Sequence, residues 1–164
     1  MLRVIILRGF SGAGKSHYIK THFPNAVVCS ADDYFVNEAG EYEFKNPGIA
    51  HGKCLRKFVE SIIANFDCDH EDEFLVVDNT NIRMAELAPY YQVARAYGYQ
   101  AEIIRIDCDP EIAAARNKHG VPLEKIQEWA AKFEKLPPYW PAEKVVDTTP
   151  VKLDPKDWEG WEGK

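Results

Sequence analysis

The chain has 164 residues, 46% of them hydrophobic and 28% charged, with a formal net charge of −6 and four cysteines. This length suits one domain with a sizeable core, and no apolar run approaches the roughly 20 residues that cross a bilayer, so no membrane partner is expected. The acidic balance excludes broad nonspecific binding to duplex nucleic acid, which phosphate neutralisation drives. It leaves room for a local basic groove that takes one strand end. Cys29, Cys54, Cys68 and Cys108 are scattered with no C-x-x-C pair. That pattern argues against a zinc site and for a reducing compartment, here the cytoplasm. The N-terminus enters a strand at once, so no signal peptide is expected.

Val4-Ile5-Ile6-Leu7 is a short apolar run of the kind a buried parallel strand needs. Gly9-Phe10-Ser11-Gly12-Ala13-Gly14-Lys15-Ser16 follows. It fits the phosphate-binding loop pattern G-x-x-x-x-G-K-[ST] at every fixed position. Ser16 to His22 has no breaker and reads as a helix start. A strand, a glycine loop and a helix N-terminus gather backbone N–H groups and partial positive charge around one point. Gly9, Ser11, Gly12, Ala13 and Gly14 would cradle the phosphates of a nucleoside triphosphate. Lys15 would reach the β- and γ-phosphates, and the Ser16 hydroxyl would ligate Mg²⁺.

Ala26 to Ser30 is a second strand, ending in Ala31-Asp32-Asp33-Tyr34-Phe35. Ligands of open parallel sheets bind beyond the carboxyl ends of the strands. The Asp32-Asp33 pair there serves Mg²⁺, takes a proton from a hydroxyl, or caps a helix. Residues 37–47 read as a turn or hairpin over the site. Tyr34, Phe35, Tyr42 and Phe44 either stack on a base or pack. Ile49 to Phe66 reads as a helix with an apolar stripe of Leu55, Phe58, Val59, Ile62 and Ile63. His51, Lys53, Arg56 and Lys57 around its first half contact a substrate phosphate or form a solvated face. Residues 67–73 read as a solvated acidic loop, because the spacing of Cys68 and His70 matches no standard metal site.

Phe74 to Val77 is the third strand and runs into Asp78-Asn79-Thr80-Asn81. An acid directly after a buried strand sits where loop NTPases hold Mg²⁺. The polar run after it can line the acceptor side, and Asn81 can cap the next helix, Arg83 to Tyr97. Ala101 to Ile106 is the fourth strand. Asp109 and Pro110 start a helix as N-cap and first helical residue. Leu123 to Leu136 is a further helix. Beyond it the prolines thicken, Val145-Val146-Asp147 suggests a last short strand, and the chain ends with Trp158 and Trp161. The organisation expected is a domain over residues 1–136 and a Pro- and Trp-containing extension over 137–164.

Four blocks together, G-F-S-G-A-G-K-S, A-D-D-Y-F, V-D-N-T-N and A-R-N-K-H-G-V-P, resemble the polynucleotide kinase family of P-loop kinases. That family includes the kinase half of the bacteriophage 5′-hydroxyl polynucleotide kinase and related eukaryotic AAA-like kinase domains. The resemblance covers about residues 1–136. It implies an α/β, three-layer P-loop NTPase fold with a central parallel sheet and a helical lid. It implies ATP and Mg²⁺ as cofactors and a nucleic-acid hydroxyl as acceptor. Asp32 matches the general base on that hydroxyl, Lys15 and Ser16 the phosphate and Mg²⁺ contacts, and Asp78 the acid that orients the site. Arg116 matches the lid arginine that reaches the transferring phosphate. Asp33, Tyr34, His51, Asn79, Asn81 and Arg83 then fall to the substrate side. Two departures bear on the acceptor: Phe35 stands where the phage member has an arginine, and the chain has no phosphatase domain. A hydroxymethylated base in DNA, a nucleoside or another small molecule are the alternative acceptors, and a nucleotide-dependent binding module is the non-catalytic one.

Overall fold

A computed structural model describes residues 3–35, 37, 43, 45–66 and 74–150. Its elements in order are β1 (Arg3–Arg8), α1 (Lys15–His22), β2 (Val27–Cys29), a 3₁₀ turn (Ala31–Tyr34), α2 (Pro47–Phe66), β3 (Phe74–Asp78), α3 (Met84–Ala96), β4 (Gln100–Asp107), α4 (Pro110–Arg116), α5 (Leu123–Ala131) and β5 (Lys144–Asp147). Strands and helices alternate, so each strand returns parallel to its neighbour. The order across the sheet is β2-β3-β1-β4-β5, and every pairing is parallel.

The central strand β1 shows why the sheet has two covered faces. Its side chains alternate, and both sets are apolar. Val4 and Ile6 join Leu75, Val77 and Ile103 under Phe58 and Ile62 of α2 and Leu87 and Tyr90 of α3. Ile5 and Leu7 join Val76, Ile104 and Ile106 under Tyr18 and Ile19 of α1, Ala113 of α4 and Ile126 of α5. The result is a three-layer α/β fold, as expected.

The boundaries differ where caps decide them. α2 starts at Pro47, whose fixed φ suits a first helical residue. α3 starts at Met84 behind Arg83, so Asn81 is not its cap. Asn81 instead takes a left-handed φ of 47° and spends its side chain inside the fold. α4 does start on Asp109, whose carboxylate accepts from the backbone N–H groups of Glu111 and Ile112. α5 stops at Ala131, five residues short of expectation. β5 lies in the expected extension yet pairs with β4 from Ile104↔Lys144 to Asp107↔Asp147. The hairpin expected at 37–47, the acidic loop at 67–73 and the Trp-bearing end fall wholly or mostly outside the described residues.

Candidate functional site

The phosphate loop joins the end of β1 to α1, and its glycines are required by contact as well as by dihedral. Gly12 has φ +81°, and a Cβ there would lie 2.0 Å from the Ala113 carbonyl oxygen of α4. Gly14 caps α1 in the left-handed region, which a side chain makes costly. The Lys15 ammonium curls over the loop and donates to the carbonyls of Gly9 and Phe10, both at 3.0 Å. Loss of solvent lowers its pKa below the ordinary lysine value, while the carboxylates of Asp78 and Asp32 oppose that shift. The Ser16 hydroxyl donates to Asp78 Oδ2 at 3.3 Å. Desolvation raises the Asp78 carboxyl and the Lys15 charge opposes it. Lys15, Ser16, Asp78 and Asp32 therefore share one electrostatic neighbourhood at the carboxyl ends of β1, β2 and β3.

The second half of the site is the 3₁₀ turn after β2. Its cap is Ser30, not an aspartate. The Ser30 hydroxyl accepts from the Asp32 N–H and donates to the Asp78 carbonyl at 3.0 Å. It thereby ties the end of β2 to the end of β3. Released from capping, the two acids part company. Asp33 Oδ2 lies 3.5 Å from the Lys57 ammonium, which also donates to the Val28 carbonyl at 2.7 Å. Asp32 stays on the Lys15 side, with Oδ2 3.5 Å from His119 Nε2.

Asn79 and Asn81, expected on the acceptor side, belong to the scaffold. Asn79 is 6% exposed and Asn81 is 1% exposed. The Asn79 side-chain oxygen accepts from the Ala31 N–H at 2.9 Å. Its amide donates to Tyr90 Oη and Cys54 Sγ. Asn81 donates to the Leu7 carbonyl at 2.7 Å. The polar run after β3 crosses strand ends whose backbone groups have left the ladder, and each needs a partner. Phe35 is buried in the core, so it packs and does not stack on a base. Tyr34 is half-buried, with the Lys53 ammonium 5.8 Å from its ring centre. Tyr42 and Phe44 lie outside the described residues. His51 is exposed on α2 and lines a cleft of about 270 Å³ with Leu55, Glu86, Pro89 and Tyr90. Arg83 is exposed at the head of α3.

Arg116 ends α4 and donates from Nη1 to the Thr148 carbonyl at 3.2 Å. Thr148 Oγ1 in turn donates to the Ala13 carbonyl of the loop at 2.6 Å. Arg116 is thus docked one residue away from the phosphate loop. Thr148 carried no signal in the sequence, since its partners are 135 and 41 positions distant. Arg8 was also missed. Fully buried, it donates to the carbonyls of Asn81, Ile82 and Glu134, pairs with Glu143 at 2.6 Å, and lies 4.4 Å from the Phe133 ring centre. A charge directly before the first glycine of the loop, at the end of an apolar strand, was the available sign.

For Mg²⁺ the donor chemistry fits. Ser16 Oγ and Asp78 are hard oxygens side by side, and Mg²⁺ commonly takes one or two protein oxygens beside waters and substrate phosphates. Among the described residues, no group of three or more His, Cys, Asp or Glu side chains is arranged to hold a metal by itself. No helix among them is long and apolar enough to cross a membrane.

A parallel sheet ordered 2-3-1-4-5, a phosphate loop after its central strand and acids after both strands to one side of it define a P-loop kinase-like domain. The chain belongs to the AAA domain family, which it matches over residues 4–136. It is similar to human NEDD4-binding protein 2, at 29% identity in an alignment that covers 82% of this chain and 8% of that protein. The chain spans about a tenth of the length of the mammalian relatives it matches. Among solved structures it resembles the APS kinase CysC of Mycobacterium tuberculosis, seen with AMPPNP and APS, with a TM-score of 0.55 at 16% identity, covering 92% of this chain and 90% of that one. A gluconokinase from Sinorhizobium meliloti 1021 also gives 0.55 at 16% identity, covering 88% and 82%. At these identities the likeness concerns the fold.

Proposed function

We propose that the chain transfers the γ-phosphate of ATP to an alcohol, and that the acceptor is a nucleic-acid hydroxyl, most simply a polynucleotide 5′-OH. The observation that carries the phosphotransfer reading is the separation of the two acids. Asp32 stands in the field of Lys15 and Asp78, whereas Asp33 is turned to Lys57. When bound, MgATP would supply the phosphoryl group and a cation to offset the charge of the triphosphate. The loop amides and Lys15 would hold the triphosphate, with Ser16 and Asp78 on the metal side. Asp32 would accept the proton of the acceptor hydroxyl as its oxygen bonds to the γ-phosphorus. The β–γ bridging bond breaks, and its electron pair leaves with ADP. Arg116 would release Thr148 and turn to the developing charge.

The acceptor class rests on the four-block resemblance. A second reading, a nucleoside or other small hydroxyl compound, is favoured by a specific observation: Arg56 is paired with Glu60, and Lys57 with Asp33 and a backbone carbonyl. Of Lys53, Arg56, Lys57 and Arg83, only Lys53 and Arg83 form no salt bridge among the described residues. A polynucleotide held this way makes about one to three phosphate contacts, each contributing roughly −0.7 to the slope of log affinity against log salt. Radiolabelled γ-phosphate transfer to DNA and RNA oligonucleotides, hydroxymethylated duplexes and nucleosides decides between them. Product on oligonucleotides with a shallow salt slope is expected. Product on nucleosides with none on any nucleic acid would leave a small-molecule kinase.

A further inference from the structure

The contact between His119 and Asp32 spans the mouth of the site. Asp32 follows β2, at one edge of the sheet, and His119 follows the helix after β4, two strands away from β2's neighbour β3. Their side chains meet with His119 Nε2 3.5 Å from Asp32 Oδ2. The loop that presents His119 is built for it. The Asn117 side chain donates to the carbonyls of Ala114 and Val121 and accepts from the Val121 N–H, at 2.7, 3.0 and 2.8 Å. These three bonds close residues 118–120 into a tight projection, with Gly120 at φ +66° making the turn. The base of the projection rests on the phosphate loop, because a Cβ on Gly12 would lie 2.0 Å from Ala113 O and 2.9 Å from Asn117 N. One path of contacts therefore runs from the phosphate loop through α4 and Asn117 to His119, and ends on the Asp32 carboxylate.

We propose that His119 is a positioning residue, whose contact with Asp32 Oδ2 sets the orientation of that carboxylate toward the acceptor hydroxyl. The inference rests on Asp32 being the base in the transfer proposed above. Both side chains keep contact with solvent, at 33% and 52% exposure. Exposed pairs of this kind add little to stability, so the effect falls on orientation. The groups around Asp32 agree with that division: Lys15 and Asp78 lie on its phosphate side, and Asp33 is occupied by Lys57.

The test has two arms. In the first, the imidazole nitrogen and carbon-bound proton resonances of the full chain are recorded for wild type and Asp32→Ala. The His119 signals should move while those of His17, His22 and His51 hold. Unmoved His119 signals overturn the proposal. In the second, transfer from MgATP to a 5′-hydroxyl oligonucleotide is measured for His119→Ala, His119→Gln and His119→Asn. A misplaced base of this kind costs about 10- to 100-fold, so His119→Ala should lower kcat by that factor with the KM for ATP unchanged. Gln places its amide nitrogen near the Nε2 position and should recover most of kcat, whereas the shorter Asn should not. Wild-type kcat in His119→Ala, or Gln no better than Ala, overturns the role. A wild-type enzyme silent on the oligonucleotide counts against the acceptor proposed above and not against His119. The resonance shift, and kcat on whichever hydroxyl acceptor the screen returns, then decide the case.

Discussion

The phosphate side and the acceptor side of the site are built in opposite ways. The phosphate side is one continuous stretch, Gly9 to Ser16, whose backbone would do the binding in the reading proposed above. Most of its requirements are local: glycines that tolerate positive φ, a helix N-terminus, and a lysine six residues from the first glycine; the exception is Gly12, where a Cβ would also meet the Ala113 carbonyl of α4. The side that carries Asp32 is assembled from five places. Asp32 is held by Ser30 at the end of β2, the Asp78 carbonyl of β3, Asn79 in the following loop, and through Asn79 by Tyr90 of α3 and Cys54 of α2. An anion can be held by any concave run of N–H groups. A base must stand at one position relative to another reactant, and only long-range contacts can set that position.

Substitutions on the two sides should therefore fail differently. Lys15→Ala removes the cation that would face the transferring phosphate and should leave no detectable transfer, with the circular dichroism spectrum of the folded chain retained. Asp32→Asn should lower kcat by about 10² to 10⁴ with ATP affinity intact by calorimetry. Asp33→Asn should cost less than either, since its partner is Lys57. A reversed order for the two aspartates would exchange their roles.

Arg116→Ala tests whether the lid belongs with the phosphate side. Arginines that meet developing charge contribute about 10³ or more to kcat. Turnover should fall by that order while the KM for ATP changes little. Unchanged turnover would leave Arg116 as a strut on Thr148.

The smallest effect on chemistry, and the clearest one on stability, should come from Asn79→Ala. It strands the buried Ala31 N–H. An unpaired buried group costs about 1–3 kcal/mol, readable as a lower midpoint in urea unfolding. Because Asn79 anchors the turn that carries Asp32, kcat should fall in the surviving folded enzyme with ATP affinity unmoved. A drop in ATP affinity instead would mean that the two halves are not separate devices.

Much of this was open to reading from the chain alone. The alternation of short apolar runs with helical stretches, the loop Gly9–Ser16, the acid after β3 and the cap at Asp109 are local patterns with local causes. Each depends on neighbours within a few residues, where strand burial, positive φ and capping act. The sequence could not say which polar residues after β2 and β3 face a ligand and which hold the fold together. Asn79 and Asn81 look like site residues in a line of letters, yet their amides satisfy backbone groups 48 and 74 positions away. Arg8, Thr148 and His119 acquire their places in the same manner, from partners the sheet order brings near. Hydrogen bonds and charge pairs act over a few ångströms in space, and sequence separation says nothing about that distance until the strands have been ordered.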